Sequence, residues 1–192
     1  MIELPGWLNA TLASDAAEGR NVLSPGIIRP LDPTWRVVGP AFVVLGSQDD
    51  NLAVNQAVMV PPPAGCVMVV GGQAGSRTAT VGDLMALEIK NLGVLGLVTD
   101  GLVRDAQEIR RLEFPVWCRG TTPIASAKRG PGAVGGTVLI GGAVVRDGDL
   151  VIADDDGVVV WPRESVPELL TRARAKLDAD NARAARLQAE RR

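Results

Sequence analysis

The fold is decided by residues 82–108, which read GDLMALEIKNLGVLGLVTDGLVRDAQE. Apolar residues recur at helical spacing from Asp83 to a stop at Gly93, which predicts a helix that begins at Asp83. The apolar run at 95–99 predicts a short buried strand, and residues 106–112 predict a second helix. Helix, strand and helix in this order are typical of an α/β core.

The same alternation continues on both sides of this segment. Further strands are predicted at 41–45, 66–70 and 115–118, and further helices at 6–20 and 51–58. Residues 23–40, with Pro25, Pro30 and Pro33 inside the segment, predict a rigid surface crossing. After Pro123, apolar runs are separated by tight turns at 146–149 and 154–157, which predicts antiparallel strands without helices. An α/β region followed by a β-meander predicts a layered β/β/α sandwich in the α/β class.

The domain is predicted to cover residues 1–161, and residues 162–192 to form a charged C-terminal helix as an appendage. The helix carries a thin apolar stripe, formed by Leu169, Leu170, Ala173, Leu177, Ala184 and Leu187. Such a stripe packs on a neighbouring subunit or on the helix's own domain. We expect this appendage to lie at a subunit interface.

The charge balance argues against polyanionic partners. Lys and Arg number 20 against 22 for Asp and Glu, a net charge of -2, so we expect no nucleic-acid ligand. The apolar runs have the length of strands, which predicts no membrane partner, and the N-terminus has no basic region before an apolar one. These features predict a cytoplasmic protein.

The missing residue types restrict the chemistry more than the charge does. The chain has no His and no Tyr, so it holds no Ser-His-Asp triad, no His-ligated zinc and no His general base. Cys66 and Cys118 are expected to be buried thiols rather than a disulfide or redox pair. Chemistry must therefore come from carboxylates, Arg, Lys, backbone groups, water or a metal ion with oxygen ligands.

Asp83 and the Arg104-Asp105 pair are the candidate site. Asp83 starts a helix, so the backbone N–H groups of Leu84 and Met85 are unpaired donors that suit a carboxylate or phosphate. The Arg104-Asp105 pair starts the next helix, and adjacent parallel strands end on one side of a sheet, so both helix starts can face one cleft. Carboxylates without His or Cys suit Mg²⁺ or Mn²⁺ held largely through water. A 2-oxo acid could chelate such an ion while Arg104 binds its carboxylate.

A purely structural interpretation of the same residues is also open. Asp83 could be only a helix cap, and Asp105 only a favourable charge in the first helical turn. Arg104 and Glu108 could form an i,i+4 ion pair on one helix. Spacing alone does not decide between the two interpretations.

The segment resembles the 4-hydroxy-4-methyl-2-oxoglutarate aldolase family, which shares its fold with the regulator of ribonuclease activity A. Members of the aldolase family carry an Asp, twenty residues, Arg-Asp, two residues and an acid, and Asp83, Arg104, Asp105 and Glu108 match this pattern. The resemblance extends over most of the chain, through residues 14–16, 38–41, 50–52, 99–101, 141–142, 147–149 and 157–158. It implies an RraA-like sandwich, similar to swivelling domains, that assembles as a homotrimer or hexamer.

The resemblance also implies roles for the site residues. Asp105 would contact a Mg²⁺ or Mn²⁺ ion, Asp83 would hold one of its waters, and Arg104 would bind the carboxylate and keto oxygens of the substrate. Gly82, Leu84, Met85 and Asn51 are predicted to bind the substrate as well, and the loop with Gly71 and Gly72 to line the pocket. In some aldolases an acidic residue from a neighbouring C-terminal region completes the metal site. Asp178, Asp180 and Glu190 are the candidates, and we assign none of them.

The implied activity is the cleavage of a 4-hydroxy-2-oxo acid to pyruvate and a second 2-oxo acid, with oxaloacetate decarboxylation as a side activity. The alternative is a protein without catalytic activity that binds and inhibits a ribonuclease, as the regulator branch of the family does. The retained Asp83, Arg104 and Asp105 favour the enzyme, because a docking surface does not need carboxylates that bind a metal in a cleft.

Overall fold

The computed structural model describes residues 4–24, 28–60 and 62–190. These residues form five α-helices and one short 3₁₀ helix. The α-helices are α1 (Ala10–Ala16), α2 (Leu52–Met59), α3 (Asp83–Asn91), α4 (Ala106–Arg111) and α5 (Val166–Ala189), and the 3₁₀ helix is Arg163–Ser165. The predicted start of α3 at Asp83 is confirmed, and α2 and α4 lie within one or two residues of their predicted ranges.

The described residues also form thirteen strands. These are β1 (Arg29–Pro30), β2 (Val37–Leu45), β3 (Val67–Gly71), β4 (Ala79–Val81), β5 (Gly96–Thr99), β6 (Leu102–Val103), β7 (Val116–Cys118), β8 (Gly120–Thr121), β9 (Ala133–Val134), β10 (Thr137–Ile140), β11 (Ala143–Arg146), β12 (Leu150–Asp154) and β13 (Gly157–Trp161). The main sheet has the order β1-β7-β5-β3-β2-β12-β13, and β9 also pairs with β2. β4, β6 and β8 form a separate three-stranded sheet, and β10 and β11 form a hairpin.

The centre of the main sheet is parallel and fully covered. β2, β3, β5 and β7 pair in parallel, and every residue of β3, β5 and β7 is buried. Strands that are covered on both faces need apolar residues at every position, which explains their continuous Val-rich sequence. Parallel neighbours also bring the carboxyl ends of these strands to one edge of the sheet.

The two faces of the sheet have separate apolar cores. On one face, Val43 and Val69 share a cluster with Val138 and Val145 of the β10-β11 hairpin. On the other face, the sheet packs against helices in a second cluster that includes Ile89 of α3. Hairpin, sheet and helices are the three layers of the predicted β/β/α sandwich, and this prediction is confirmed.

The C-terminal helix divides into two parts. Leu169 and Ala173 are buried in a third cluster with residues of α1, β12 and β13, so the first part of α5 packs on the helix's own domain. Residues 181–190 are exposed, and Leu187 has an exposed fraction of 51%. A role of this second part at a subunit interface stays a prediction, as does the division of the chain at 161.

Some N-terminal predictions were too simple. The helix predicted over 6–20 is the shorter α1, since Glu18 adopts a positive φ of 56° just after it. The predicted surface crossing over 23–40 is partly core, because Leu23 and Ile28 are buried and β2 already begins at Val37. Residues 25–27, which include Pro25, lie outside the described residues.

Two further predictions can be compared with the structure. Cys66 and Cys118 are both buried free thiols, as predicted. Burial raises the pKa of each thiol to about 11, so neither is a reactive thiolate at neutral pH. No helix of the described ranges is long and apolar enough to cross a membrane.

Candidate active site

Two short parallel strands bring the predicted site residues together. In the β4-β6 pair, Val81 lies opposite Val103, and the backbone N–H of Arg104 donates to the Val81 carbonyl at 3.0 Å. Because the strands run in the same direction, the chain leaves both at the same edge. Asp83, the first residue of α3, therefore lies beside Arg104 and Asp105, which directly precede α4.

The backbone of Asp105 turns its carboxylate back towards α3. Asp105 has a φ of 55° and a ψ of 39°, in the left-handed region that Asp tolerates better than most residues. Its Oδ2 lies 3.3 Å from Nε of Arg104 and accepts a 3.5 Å hydrogen bond from the backbone N–H of Asp83. The carboxylate thus lies at the positive end of the α3 dipole. Such backbone conformations persist where the surrounding structure holds them, often at functional sites.

Gly82 leaves the space in which Arg104 and Asp105 meet. A Cβ atom at this position would lie 2.7 Å from Oδ2 of Asp105 and 2.8 Å from Nε of Arg104, closer than van der Waals contact allows. The backbone of Gly82 is extended, with a φ of -121°, so any residue could adopt its conformation. Space, rather than backbone freedom, therefore requires glycine here.

The side chains of the site keep unused bonding capacity. Arg104 and Asp105 are 43% and 38% exposed, so both can still bind a ligand. The Asp83 side chain is half-buried, and no donor from the described residues bonds to its carboxylate. A carboxylate that is not consumed by the protein is available to water, metal or substrate.

Asp83 and Arg104 line a cavity of about 270 Å³ at this edge of the small sheet. Its walls are formed by Asn51, Asn55, Ala79, Gly82, Asp83, Leu84, Met85, Glu88, Arg104, Ala125, Ser126 and Lys128. Asp105 faces a neighbouring cavity of about 360 Å³, which it lines together with Arg104 and Thr121. Arg104 separates the two cavities and can bind a ligand from either side.

The opposite wall of the first cavity comes from α2 and from the loop after β8. The Asn51 side chain donates to the Thr80 carbonyl at 3.2 Å, and the Ser126 hydroxyl donates to the Ala79 carbonyl at 2.8 Å. Both contacts fasten this wall to β4. Lys128 is exposed and, among the described residues, its ammonium has no ion-pair partner, so it places a second cation at the cavity in addition to Arg104.

The structure brings the sequence-predicted residues into one place. One cavity is lined by six of them: Asn51, Gly82, Asp83, Leu84, Met85 and Arg104. Asp105 does not line this cavity, but its carboxylate contacts Arg104 and the backbone N–H of Asp83. Leu84 is 77% exposed at the cavity rim. The roles of these residues in binding and catalysis stay predictions.

Two expectations for the site are wrong. Gly71 and Gly72 do not line the cavity: Gly71 packs against Val138, and Gly72 packs against the carbonyl of Gly46. The loop after them is structural, because the buried Gln73 side chain donates to the Ser47 carbonyl at 2.7 Å.

The second concerns the ion pair considered for Arg104 and Glu108. It does not form, because Arg104 lies before the helix and bonds to Asp105. Glu108 instead pairs with Arg111 at 3.3 Å.

Sequence reasoning missed the loop that carries Ser126 and Lys128. Its sequence, with Pro123 and several small residues, gave only the signal of a change in pattern. The loop reaches the cavity through contacts with residues more than forty positions away, such as Ser126 with Ala79. One lysine in a loop is a signal too weak to find without those contacts.

The donor set fits a hard divalent ion that keeps much of its water. Within the described part of the chain, no three carboxylate or thiol side chains form a metal-binding group. Asp105 and Asp83 are neighbours in space, since the Asp105 carboxylate accepts from the backbone N–H of Asp83, and Mg²⁺ binds through one or two carboxylates while keeping several waters. The same set does not suit zinc, which takes three or four protein ligands.

Comparisons with known proteins show which family the chain resembles. The model of the RraA-like family, aldolase/RraA, matches residues 10–160. A Halalkalibacterium halodurans protein, provisionally named 4-hydroxy-4-methyl-2-oxoglutarate aldolase, is 39% identical over 90% of this chain and 81% of its own. Streptomyces coelicolor RraAS2, an unusual member of the RNase ES inhibitor RraA family, is 31% identical over 93% of each chain, with a TM-score of 0.81.

A Geobacillus kaustophilus structure named as an S-adenosylmethionine: 2-dimethylmenaquinone methyltransferase is 30% identical, with a TM-score of 0.72, over 80% of this chain and 94% of its own. Relatives of one fold thus carry names from three kinds of activity. The family model alone spans most of the chain, including both strands that position Asp83, Arg104 and Asp105. The chain therefore belongs to the RraA-like family of aldolase and RraA proteins.

Proposed function

We propose that this protein is a lyase that depends on a divalent metal and cleaves a 4-hydroxy-2-oxo acid to pyruvate and a second 2-oxo acid. Oxaloacetate decarboxylation is the proposed side activity. The observation that carries the proposal is that Arg104 lines both site cavities and pairs with Asp105, whose carboxylate accepts from the backbone N–H of Asp83, while the Asp83 carboxylate has no donor among the described residues. The provisional aldolase name of the 39% identical relative supports the same reaction class.

Asp105, together with a water held by Asp83, would hold Mg²⁺ or Mn²⁺. When bound, such an ion supplies positive charge that stabilises the electron pair left on the pyruvate fragment as the carbon-carbon bond breaks. The same charge would serve oxaloacetate, because loss of CO₂ leaves its electron pair on an equivalent carbon. One site could therefore support both reactions.

Arg104 would bind and orient the substrate. Its planar guanidinium offers paired N–H donors, which match the carboxylate and keto oxygens of a 2-oxo acid. The bond from Nε to Asp105 fixes one side of the guanidinium and leaves the terminal N–H groups for the substrate. Backbone N–H groups at the start of α3, including those of Leu84 and Met85, would add donors for the substrate carboxylate.

Lys128 would attract a second acidic group of the substrate. It lines the same cavity as Arg104, on the loop wall rather than the helix wall. Two cations at one cavity suit a substrate with two carboxylates better than one with a single carboxylate. Glu88 and Asp83 at the same cavity would disfavour additional negative charge.

The proposal is tested by following pyruvate release with lactate dehydrogenase and NADH. The substrates are oxaloacetate and a panel of 4-hydroxy-2-oxo acids, each assayed with Mg²⁺, with Mn²⁺ and with excess EDTA. We expect activity to vanish with EDTA and to return with either ion. Full turnover in excess EDTA would contradict the metal-dependent mechanism.

Arg104→Lys sharpens this test. The variant keeps the charge but loses the planar fork, so kcat/KM should fall by at least about tenfold, the factor for one lost hydrogen bond to a charged group. Its affinity for Mn²⁺ should change little. Arg111→Lys is the matched control, since Arg111 pairs with Glu108 on α4 and lies outside both cavities. Equal kinetics for the two variants would remove Arg104 from the proposed site.

A ribonuclease-binding regulator is the second candidate. It is favoured by the likeness to RraAS2, whose family inhibits RNase ES. A titration of this protein into an RNase ES-type ribonuclease assay separates the two, with Asp105→Asn in parallel. Inhibition by both proteins, without pyruvate release by either, would favour the regulator.

The methyltransferase name of the Geobacillus kaustophilus relative finds no support in the site. A nucleotide-type glycine motif followed by a ribose-binding acid is not evident in the sequence. The glycine-rich loop at 71–75 is consumed by internal packing and lines neither site cavity. Assembly as a homotrimer or hexamer and a cytoplasmic location remain predictions.

A further inference from the structure

Asp49 and Asp50 lie immediately before α2, and neither is part of the proposed catalytic site. Asp50 has an exposed fraction of 5%, although an Asp this deeply buried is uncommon unless its charge is satisfied. The structure shows what satisfies both carboxylates: backbone N–H groups from distant segments of the chain.

The Asp50 carboxylate holds the loop that forms one wall of the cavity. Its Oδ2 accepts hydrogen bonds from the backbone N–H groups of Arg129 at 2.6 Å and Gly130 at 2.8 Å. Its Oδ1 accepts from the N–H of Leu52, in the first turn of α2, at 2.8 Å. Burial alone would raise the pKa of Asp50, but these three donors outweigh it, and the pKa lies below its ordinary value. The carboxylate is therefore ionised at neutral pH.

Backbone hydrogen bonds add to this attachment on the other side of Lys128. The N–H of Asn51 donates to the Ala127 carbonyl at 3.0 Å, and the N–H of Ala127 donates to the Asp49 carbonyl at 3.0 Å. Lys128 thus lies between two attachment points, one made by the backbone at 127 and one by the Asp50 carboxylate at 129 and 130. This bracket determines where the Lys128 side chain leaves the loop.

The Asp49 carboxylate holds a different segment. Its Oδ1 accepts from the backbone N–H groups of Arg77 at 2.7 Å and Thr78 at 3.0 Å, and these bonds lower the pKa of Asp49. Residues 77 and 78 lead directly into β4, which ends at Val81 and is followed at once by Gly82 and the start of α3. Asp49 therefore acts on the helix wall of the cavity, while Asp50 acts on the loop wall.

We propose that Asp49 and Asp50 are positioning residues that set the two walls of the cavity relative to each other. Asp50 places the loop with Ser126 and Lys128, and Asp49 places the entry to β4 and so the start of α3. The consequence for turnover rests on the proposed function. The positioning itself does not, and it can be measured without any substrate.

Limited trypsin digestion tests the positioning, because the chain has cleavable residues within both held segments. The backbone N–H of Arg77 bonds to Asp49, the backbone N–H of Arg129 bonds to Asp50, and Lys128 directly precedes Arg129. In Asp50→Asn, an N–H₂ group replaces one acceptor oxygen. Cleavage after Lys128 and Arg129 should become at least about tenfold faster, the factor for one lost hydrogen bond to a charged group, without a matching change after Arg77. Asp49→Asn should show the reverse pattern.

Asp147→Asn is the matched control. Asp147 is also a carboxylate bonded to two backbone N–H groups, those of Val43 at 2.7 Å and of Gly136, but it lines neither site cavity. It should lower global stability without changing the ratio of cleavage at the three sites. Mass spectrometry of the fragments measures that ratio directly. Should Asp50→Asn not accumulate as folded protein, Asp49→Asn and its control carry the same test.

Equal acceleration at all three sites, or none at any, in Asp49→Asn and Asp50→Asn would overturn the proposal. For an active protein, a double-mutant cycle gives the second measurement. Lys128→Met and Asp50→Asn should each raise KM, and the double variant should be little worse than Lys128→Met alone, because Asp50 acts through the loop. If the effects of the two substitutions on KM are fully additive, Asp50 does not act on substrate binding through the position of Lys128. If the parent protein releases no pyruvate, the proposed function is contradicted. The digestion result would still decide whether Asp49 and Asp50 position the two cavity walls.

Discussion

The acidic residues of the candidate site and Asp149 of the β11-β12 turn are the same residue type, but their carboxylates have different hydrogen-bond partners in the structure. In the turn, Asp149 accepts hydrogen bonds from the N–H groups of Arg146 at 2.8 Å and Arg163 at 3.1 Å, and it is buried. In the site, Asp83 has no hydrogen-bond donor from the described residues, and Asp105 has only a long bond of 3.5 Å besides its contact with Arg104.

The difference separates carboxylates that backbone donors hold from carboxylates that keep free acceptor positions. Backbone donors bond to both oxygens of Asp149, which is buried, so this carboxylate stabilises a turn and is closed to a ligand. Asp83 begins α3 and Asp105 precedes α4. Among the described residues the Asp83 carboxylate has no donor, and only Oδ2 of Asp105 has partners. Four substitutions test this comparison, two in the site and two outside it.

The largest effect is expected for Asp105→Asn. Asn tolerates the left-handed backbone of this position and has the same shape, so the change removes mainly the charge. Mn²⁺ affinity and kcat/KM for oxaloacetate should fall by at least about 100-fold, since outer-shell partners of a metal alone account for 10- to 100-fold. A Mn²⁺ titration and steady-state kinetics measure this, with thermal unfolding as the folding control. Parent-like metal binding would make Asp105 a structural charge.

Gly82→Ala should have the next largest effect. The added methyl group must displace Arg104 or Asp105, so kcat/KM should fall by roughly tenfold or more through loss of their geometry, with an equal fold-change expected for both proposed reactions. Gly6→Ala is the matched control, because a Cβ atom there meets nothing within 4 Å. If Gly82→Ala keeps the kinetics of the parent, the contact between Arg104 and Asp105 is not required.

Asp149→Asn should change stability rather than activity. The substitution removes at least one charged hydrogen bond at a buried site, which costs about 1 to 3 kcal/mol in the free energy of unfolding. For a chain of this length, 1 kcal/mol corresponds to a decrease of about 2 to 4 °C in Tm. Urea unfolding measures the loss, and kcat/KM should stay near that of the parent. A loss of kcat/KM without a loss of stability would contradict the assignment of Asp149 to a purely structural role.

The smallest effect is expected for Asp100→Asn. Burial raises the pKa of Asp100 above its ordinary value of 3.8, although the N–H of Gln73 donates to its Oδ1 at 2.9 Å. A raised pKa in the folded state contributes stability below the unfolded pKa, and this contribution is lost as pH rises through the folded pKa. Asn keeps one acceptor oxygen and has no charge to bury.

The stability of Asp100→Asn should therefore improve relative to the parent as pH rises from about 4 towards neutrality. Urea unfolding over this pH range measures the difference, with the exposed Asp155→Asn as control. A difference that is constant with pH would show that Asp100 is not strained by its burial.

Local sequence patterns correctly predicted the helix and the buried strand next to the candidate site. The helical spacing after Asp83, the stop at Gly93 and the buried strand before Asp100 all appear in the structure. These features depend on contacts between near neighbours in sequence, so one segment contains the information. The resemblance of Asp83, Arg104 and Asp105 to the aldolase pattern then identified the family that the comparisons confirm.

Features that depend on distant contacts were not predicted. The loop wall with Lys128, the structural use of the glycine-rich loop and the burial of Leu23 and Ile28 each depend on which segments meet. Glycine in a loop is compatible with a phosphate cradle or with close packing, and only the neighbouring Val138 and Gly46 decide between them.

The sequence by itself determined the α/β class, the absence of imidazole chemistry and the residues from which a carboxylate site could be built. Tertiary structure alone decided which carboxylates are free. Asp50, Asp149 and Asp105 are the same residue type, yet backbone donors from positions up to 80 residues away satisfy the first, while Oδ1 of the third has no donor among the described residues. The physical reason is that a carboxylate has a limited number of acceptor positions, and the fold determines how many of them the backbone occupies.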